Sequence, residues 1–160
     1  MTQPIVYLPN RYALVAGAGD ADGGLNAFDR ALQSAEGGQY NLVKVTSILP
    51  PAAVASDHSC LPAGAIVFAA MGSETSYKVG QQIAASVAVG IPKDPSLAGV
   101  IMEGHFHSSA AEAEARVRKM AEEALKDRNY EVLRIESIAV EHIVKQVGSV
   151  VALVLLWREE

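Results

Sequence analysis

Asn41-Leu-Val-Lys-Val-Thr46-Ser47-Ile-Leu-Pro50-Pro51 sets two adjacent hydroxyl residues between an extended apolar run and a stiff Pro-Pro. Residues 42 to 49 are rich in β-branched side chains, with Val43 and Val45 alternating against Leu42, Lys44 and Thr46. This predicts a strand that Pro50-Pro51 cannot continue inside a sheet. A serine hydroxyl held against the carbonyl of the preceding residue can attack it, provided its neighbours impose the unusual backbone that the attack needs. Thr46-Ser47 therefore reads as a self-cleavage bond, although the dipeptide alone would be read as an ordinary turn before proline.

Upstream, Tyr7 to Gly17 reads as a strand feeding a flexible Gly17-Ala-Gly-Asp-Ala-Asp-Gly-Gly24 loop, whose spacing matches neither phosphate-binding nor calcium loops. Leu25, Phe28 and Leu32 then recur at helical spacing, so residues 25 to 35 form a helix that carries Asp29 and ends at Gly37-Gly38. Downstream, residues 52 to 64 read as a loop. Strands are expected over 65–70, 82–91 and 97–107, with a helix left open for the alanine-rich 81–89. Ser109 and Glu112 form a capping box for a helix reaching Lys126, with Glu112/Arg116 and Glu114/Arg118 at pairing distance and an apolar stripe of Val117, Met120, Ala121 and Ala124. Two strands follow, 132–144 and 147–157, the second so uniformly apolar that both its faces must be covered. Strand runs with two separated helices indicate an α+β fold, a β-sandwich whose outer faces carry helices.

The chain has 160 residues, 50% of them hydrophobic, enough for one domain over residues 1–160 with a core that needs no disulfide or structural metal. Its net charge of −5 is dispersed and lacks a basic cluster, which argues against a nucleic-acid partner. Cys60 is the single cysteine, Met1-Thr-Gln-Pro-Ile has no signal-peptide character, and the longest apolar run is too short to span a bilayer. These features lead us to expect a soluble cytoplasmic protein without a membrane partner.

Three further blocks accompany the opening stretch: Leu25-Asn-Ala-Phe-Asp29-Arg-Ala-Leu32, Ile91-Pro-Lys-Asp94 leading into Ile101-Met-Glu103, and Arg134-Ile-Glu-Ser-Ile-Ala-Val-Glu141-His142. Taken together and in order, they make the whole chain resemble the pyruvoyl-dependent arginine decarboxylases. The resemblance implies an αββα layered sandwich, a trimer with active sites between subunits, and cleavage into a β chain of residues 1–46 and an α chain of residues 47–160. It also implies the covalent cofactor, a pyruvoyl group made from Ser47, which forms a Schiff base with the substrate amine and accepts the electrons left when carbon dioxide departs. Neither pyridoxal phosphate nor a metal is expected.

Residue roles follow from chemistry and resemblance together. Ser47 is the nucleophile and Thr46 supplies the attacked carbonyl. Glu103, after the Ile-Met pair, matches the family's proton donor, and a carboxyl in a partly apolar pocket holds its proton toward neutrality. Asn41 can donate an amide hydrogen to the carbonyl or oxyanion of the acyl shift, and the family associates its matching Asn with processing and the substrate site. Asp29 can pair a guanidinium through two parallel hydrogen bonds, and the matching family residue binds the arginine side chain, although Asp on a helix is more often a solvated charge. Leu25, Gly38, Tyr40 and Ile48 occupy positions that line the family's pocket.

The chain departs from the family in three places. Thr46 replaces the more usual Ser, adding a methyl group that crowds the scissile bond. Tyr40 replaces a smaller residue, and His105 and His107 lie outside the pattern. Glu103, His105 and His107 share one face of a strand, a spacing that suits zinc or iron, but a solvated pair of histidines is the simpler reading. Glu141 and His142 should point to opposite faces in structural roles. The expected reaction is L-arginine to agmatine and carbon dioxide, as used in polyamine biosynthesis or acid resistance. The alternatives are the same cofactor acting on ornithine, lysine or histidine, and an uncleaved noncatalytic homologue.

Overall fold

The computed structural model describes residues 2, 4 and 6–160. Met1, Gln3 and Ile5 of the N-terminal pentapeptide lie outside them. In chain order the elements are β1 (Arg11–Ala21), α1 (Gly24–Ser34), β2 (Asn41–Lys44), β3 (Ile48–Leu49), β4 (Val54–Ala55), β5 (Ile66–Ser76), β6 (Gln82–Pro92), β7 (Gly99–Phe106), α2 (Ala110–Asp127), β8 (Val132–Ile143) and β9 (Val147–Trp157). One sheet runs β2-β5-β9-β1-β4 and the other β3-β7-β6-β8.

The two sheets face each other across a core that includes Tyr12, Ala70, Val87, Val89, Ile101, Val154 and Leu156. α1 packs on β1 and β9 outside the first sheet, and α2 packs on β6, β7 and β8 outside the second. The layers are therefore helix, sheet, sheet, helix, the expected α+β sandwich. β9 is buried along its whole length, because its odd and even residues enter different apolar layers. β6 is a strand and not a helix. Its alanines at 84 and 88 leave room for α2, and Ser86 Oγ donates to the Ala113 carbonyl at 2.9 Å across that contact.

The first strand begins and ends later than the pattern predicts. The stretch read as a flexible loop is paired with β9 from Gly17↔Val151 through Ala21↔Val147. Its glycines serve close packing: a Cβ at Gly17 would lie 2.4 Å from the Ala35 nitrogen, and one at Gly19 would lie 2.5 Å from the Ala31 nitrogen. Only residues without side chains let α1 settle this deeply onto the strand.

α2 carries the expected capping box, with Glu112 N–H donating to Ser109 Oγ and Ser109 N–H to Glu112, each at 3.2 Å. The expected Glu112/Arg116 and Glu114/Arg118 pairs give way to tertiary contacts. Arg118 Nη1 donates to Ser137 Oγ at 2.8 Å, Ser137 donates to Glu114 at 2.6 Å, and the Arg116 guanidinium lies 4.9 Å from the Phe106 ring centre. A neighbouring strand and an aromatic ring hold these side chains better than a solvated helix face does.

Asp20, at the end of β1, clasps the β8–β9 turn. Its Oδ2 accepts from His142 Nε2 at 2.7 Å and from Lys145 N–H at 2.8 Å, and its Oδ1 accepts from Gln146 N–H at 2.8 Å. Glu141, next to His142, instead accepts the Ala110 N–H at 2.6 Å on the α2 side, so the two neighbours do face opposite ways. Burial alone would raise the Asp20 pKa, but the hydrogen bonds from His142, Lys145 and Gln146 outweigh it and hold the carboxyl below its ordinary value. The stability it contributes is therefore present above the unfolded carboxyl range and is lost as pH falls through the lowered folded value. Asp20→Asn is expected to cost about 1–2 kcal/mol near neutrality. Thermal melts should show that difference shrinking below about pH 3.9. An equal loss at every pH would assign the effect to shape and not to charge.

Candidate active site

Between β2 and β3 the chain passes through Val45 and Thr46, bends at Ser47 and changes sheets. Val45 N–H still donates to the Ala69 carbonyl of the first sheet at 2.9 Å, whereas the Ser47 carbonyl already accepts Ile101 N–H of the second at 2.7 Å. The Thr46-Ser47 peptide therefore spans the gap between the sheets, with Thr46 exposed and Ser47 half-buried. The single strand expected over residues 42–49 is cut in two here, because each half finds a different partner: β5 for β2 and β7 for β3. Pro50 is buried just beyond and ends the pairing.

Glu103 stands beside this crossing. It shares a face of β7 with the buried Ile101, whose N–H holds Ser47, and lies two residues further along, about 7 Å. The sheets are pinched at the next residue, since a Cβ on Gly72 would lie 2.6 Å from the Gly104 carbonyl oxygen. Glu103 Oε2 is buried there without a hydrogen-bond partner. Burial raises the carboxyl's pKa above the ordinary value, and the charge of Lys44, at the end of β2, opposes that rise. The result is a carboxyl that keeps its proton at higher pH than a solvated one. An apolar recess of about 230 Å³ flanks the scissile pair, lined by Val45 and Ile48 together with Tyr7, Pro9, Pro50, Phe68 and Leu156.

The other predicted residues lie elsewhere on the same subunit. Asp29 is on the exposed face of α1, where it accepts from Gln33 Nε2 at 2.5 Å, and Leu25, one turn earlier, is 82% exposed. Gly38 lies against Gln33 in the loop after the helix, where a Cβ would approach the Gln33 nitrogen to 3.0 Å. Tyr40 packs with Leu32 and Leu42 beneath α1, and its hydroxyl meets His58 Nδ1 at 3.1 Å while donating to the His58 carbonyl at 3.0 Å. Asn41 opens β2 and donates to the Gly64 carbonyl at 2.9 Å, some 10 Å along the strand from Lys44.

Residues 11–160 match the protein family described as pyruvoyl-dependent arginine decarboxylase. The chain is 46% identical to the pyruvoyl-dependent arginine decarboxylase of Methanocaldococcus jannaschii over 150 residues, covering 94% of this chain and 91% of that one. It is 43% identical to the Methanococcus vannielii protein of the same name, over 93% of this chain and 91% of the relative. Pyruvoyl-dependent arginine decarboxylase 2 of Archaeoglobus fulgidus is 34% identical over 91% of this chain and 94% of its own. The chain belongs to the pyruvoyl-dependent arginine decarboxylase family.

Membership in this decarboxylase family implies a covalent pyruvoyl group, and the crossing fits one. A serine lies next to a carbonyl at a point where both flanking segments are anchored, and a buried, partnerless carboxyl oxygen is two residues along the facing strand. One subunit brings together Ser47, Ile48, Glu103 and Lys44. Leu25 and Asp29 lie on its outer helical layer, and Gly38, Tyr40 and Asn41 lie between α1 and the start of β2.

Lys44 is the charged neighbour of Glu103 that sequence reasoning passed over. It sits inside the decisive stretch, but in a strand pattern a lysine reads only as a solvent-facing residue. His105 and His107 do share the Glu103 face. Their carboxylate, however, is Glu74 of β5, which contacts His105 Nδ1 and lies 3.4 Å from His107 Nε2. No spacing along the chain connects residues that far apart.

Proposed function

We propose that the chain cleaves itself between Thr46 and Ser47 and then decarboxylates L-arginine to agmatine and carbon dioxide. The observation that carries the reading is the Thr46-Ser47 peptide held between two anchored strands beside the buried, partnerless Oε2 of Glu103. In processing, Ser47 Oγ attacks the Thr46 carbonyl carbon, the Thr46–Ser47 C–N bond breaks, and an ester replaces the amide. Loss of the Ser47 α-proton then expels the Thr46 carboxylate, leaving an enamine on residue 47. Water adds to it and ammonia leaves, so that a β chain of residues 1–46 and an α chain of residues 47–160 result.

The resulting pyruvoyl group supplies the electron sink that decarboxylation requires. Glu103 delivers a proton to the substrate α-carbon, and its burial keeps it in the acid form that this step consumes. Ile48 and Val45 keep the crossing apolar. Asp29 takes the guanidinium, with Leu25, Gly38 and Tyr40 beside it, and the second Asn41 amide hydrogen is free for a carbonyl or oxyanion.

The separation of Leu25 and Asp29 from Ser47 supports a homotrimer in which one subunit's α1 face completes its neighbour's site. An exposed apolar face supports it too: Val6, Tyr7, Leu8, Val43, Ile48 and Ile66 are each at least 42% exposed. Among the described residues no helix is long and apolar enough to cross a membrane. A cytoplasmic location is part of the proposal.

Initial rates of carbon dioxide release from arginine, ornithine, lysine, histidine and aspartate test the substrate. Arginine should dominate, and negligible turnover of it beside good turnover of another amino acid would overturn the choice.

A further inference from the structure

The last turn of α1 holds an amide that neither the self-cleavage nor the proton transfer uses. Gln33 follows Asp29 by four residues, about 6 Å along the helix and about 40° round it, so the two side chains share one exposed face. Gln33 Nε2 donates to Asp29 Oδ2 at 2.5 Å. A carboxylate offers about four lone-pair sites, and the edge of a guanidinium needs two of them, so this bond leaves room for a cation. No protein cation takes that room. Among the described residues Asp29 has no ion pair, and the adjacent Arg30 turns away to donate to the Asp20 carbonyl at 2.6 Å.

The amide is itself firmly seated. Glu36 N–H donates to the Gln33 carbonyl at 3.0 Å and Gly37 N–H to the Leu32 carbonyl at 2.9 Å, the pair of bonds that closes a helix on a left-handed residue, here Glu36 at φ +59°. The chain then folds back, and a Cβ at Gly38 would lie 3.0 Å from both Gln33 Cγ and the Gln33 nitrogen. Gln33 also lines a recess of about 370 Å³ with Gly38 and one of about 450 Å³ with Tyr40 and His58. Asp29, Gly38 and Tyr40, three of the residues assigned to the guanidinium end of the site, therefore meet at this one side chain.

We propose that Gln33 is a positioning residue for the substrate guanidinium, holding the Asp29 carboxylate in one orientation for a two-point pairing. The proposal rests on the arginine decarboxylase reading and on Asp29 as the guanidinium partner. A carboxylate free on a helix surface must lose rotamer freedom when it binds, and an amide that already grips Oδ2 removes part of that cost. A fixed carboxylate plane matches the planar fork of a guanidinium, whereas the compact ammonium of lysine or ornithine is a point charge that gains little from it. Gln33 therefore favours arginine over those two substrates.

The test compares the processed wild-type enzyme with Gln33→Met, which keeps the length of the side chain and loses its amide. KM for arginine is expected to rise about three- to tenfold, with kcat within about twofold, self-cleavage unchanged and the preference over lysine eroded. In an Asp29→Ala background the same substitution should move KM for arginine by less than about twofold, because the amide acts through the carboxylate. An unchanged KM in Gln33→Met overturns the proposal, as does an equal rise with and without the Asp29 carboxylate. A rise in KM together with loss of the assembled size in light scattering also overturns it, because the side chain would then be a subunit contact. Failure of the underlying reading is seen separately: uncleaved wild-type protein ends the decarboxylase reading, and Asp29→Ala enzyme with the wild-type KM ends the assignment of Asp29, and either result takes the role of Gln33 with it.

Discussion

Ser47→Ala protein is expected to run as one unbroken chain under denaturing conditions and to release no carbon dioxide from arginine. The substitution removes only Oγ, so the crossing should keep its geometry. The Ser47 carbonyl is held by Ile101 N–H and the other side of the bond by the Val45–Ala69 hydrogen bond, and neither involves the hydroxyl. Without the oxygen no ester can form, and the amide keeps its ordinary stability. Melting curves close to those of the unprocessed wild type would confirm that folding is intact. Normal cleavage in this variant would remove Ser47 as the nucleophile. In the wild type the two pieces should stay together after cleavage until they are denatured, because β1 keeps its ladder with β9 from Arg11↔Trp157 to Ala21↔Val147.

Glu103→Gln is expected to process normally, or nearly so, and to lose most turnover, on the order of 10²- to 10⁴-fold. The amide matches the carboxyl in shape but has no acidic proton to give. The pH profile makes the assignment sharper. Burial at the pinch between Gly72 and Gly104 raises the Glu103 pKa, with Lys44 opposing, so the protonated, competent form persists above the ordinary carboxylate range and disappears as pH climbs through the raised value. Turnover in the wild type should fall along that alkaline limb, and the limb should be absent from the residual activity of the variant. Undiminished activity, or an unchanged limb, would take Glu103 out of the mechanism.

Much of this arrangement is legible in the one-dimensional chain, and the parts that are not share a physical cause. The capping box at Ser109 and Glu112 and the all-apolar run of β9 are local patterns, and they appear in the fold as read. The Leu42–Leu49 stretch reads as continuous because both of its halves are extended. Nothing in its alternation reveals that Val45 and Ser47 bond to different sheets.

Gly17 and Gly19 look like loop residues because glycine is frequent in loops, but here their missing side chains admit α1. That reason exists only once a helix is placed on the strand. Glu74 belongs with His105 and His107 through the facing of two sheets. As for the site, Ser47 and Glu103 carry recognisable chemistry in their own neighbourhoods. The separation of Asp29 from them has no trace in a linear pattern, since it depends on which layer each element joins.

The account depends most directly on the state of the backbone ahead of residue 47, and intact-mass spectrometry of freshly prepared, assembled wild-type protein reads that state without any assay of activity. Two species are predicted: residues 1–46 ending in a free carboxylate, and residues 47–160 one ammonia lighter than a chain beginning with serine, which borohydride reduction makes heavier by two hydrogens. A single mass for the uninterrupted 160-residue chain, unchanged by borohydride, would contradict it.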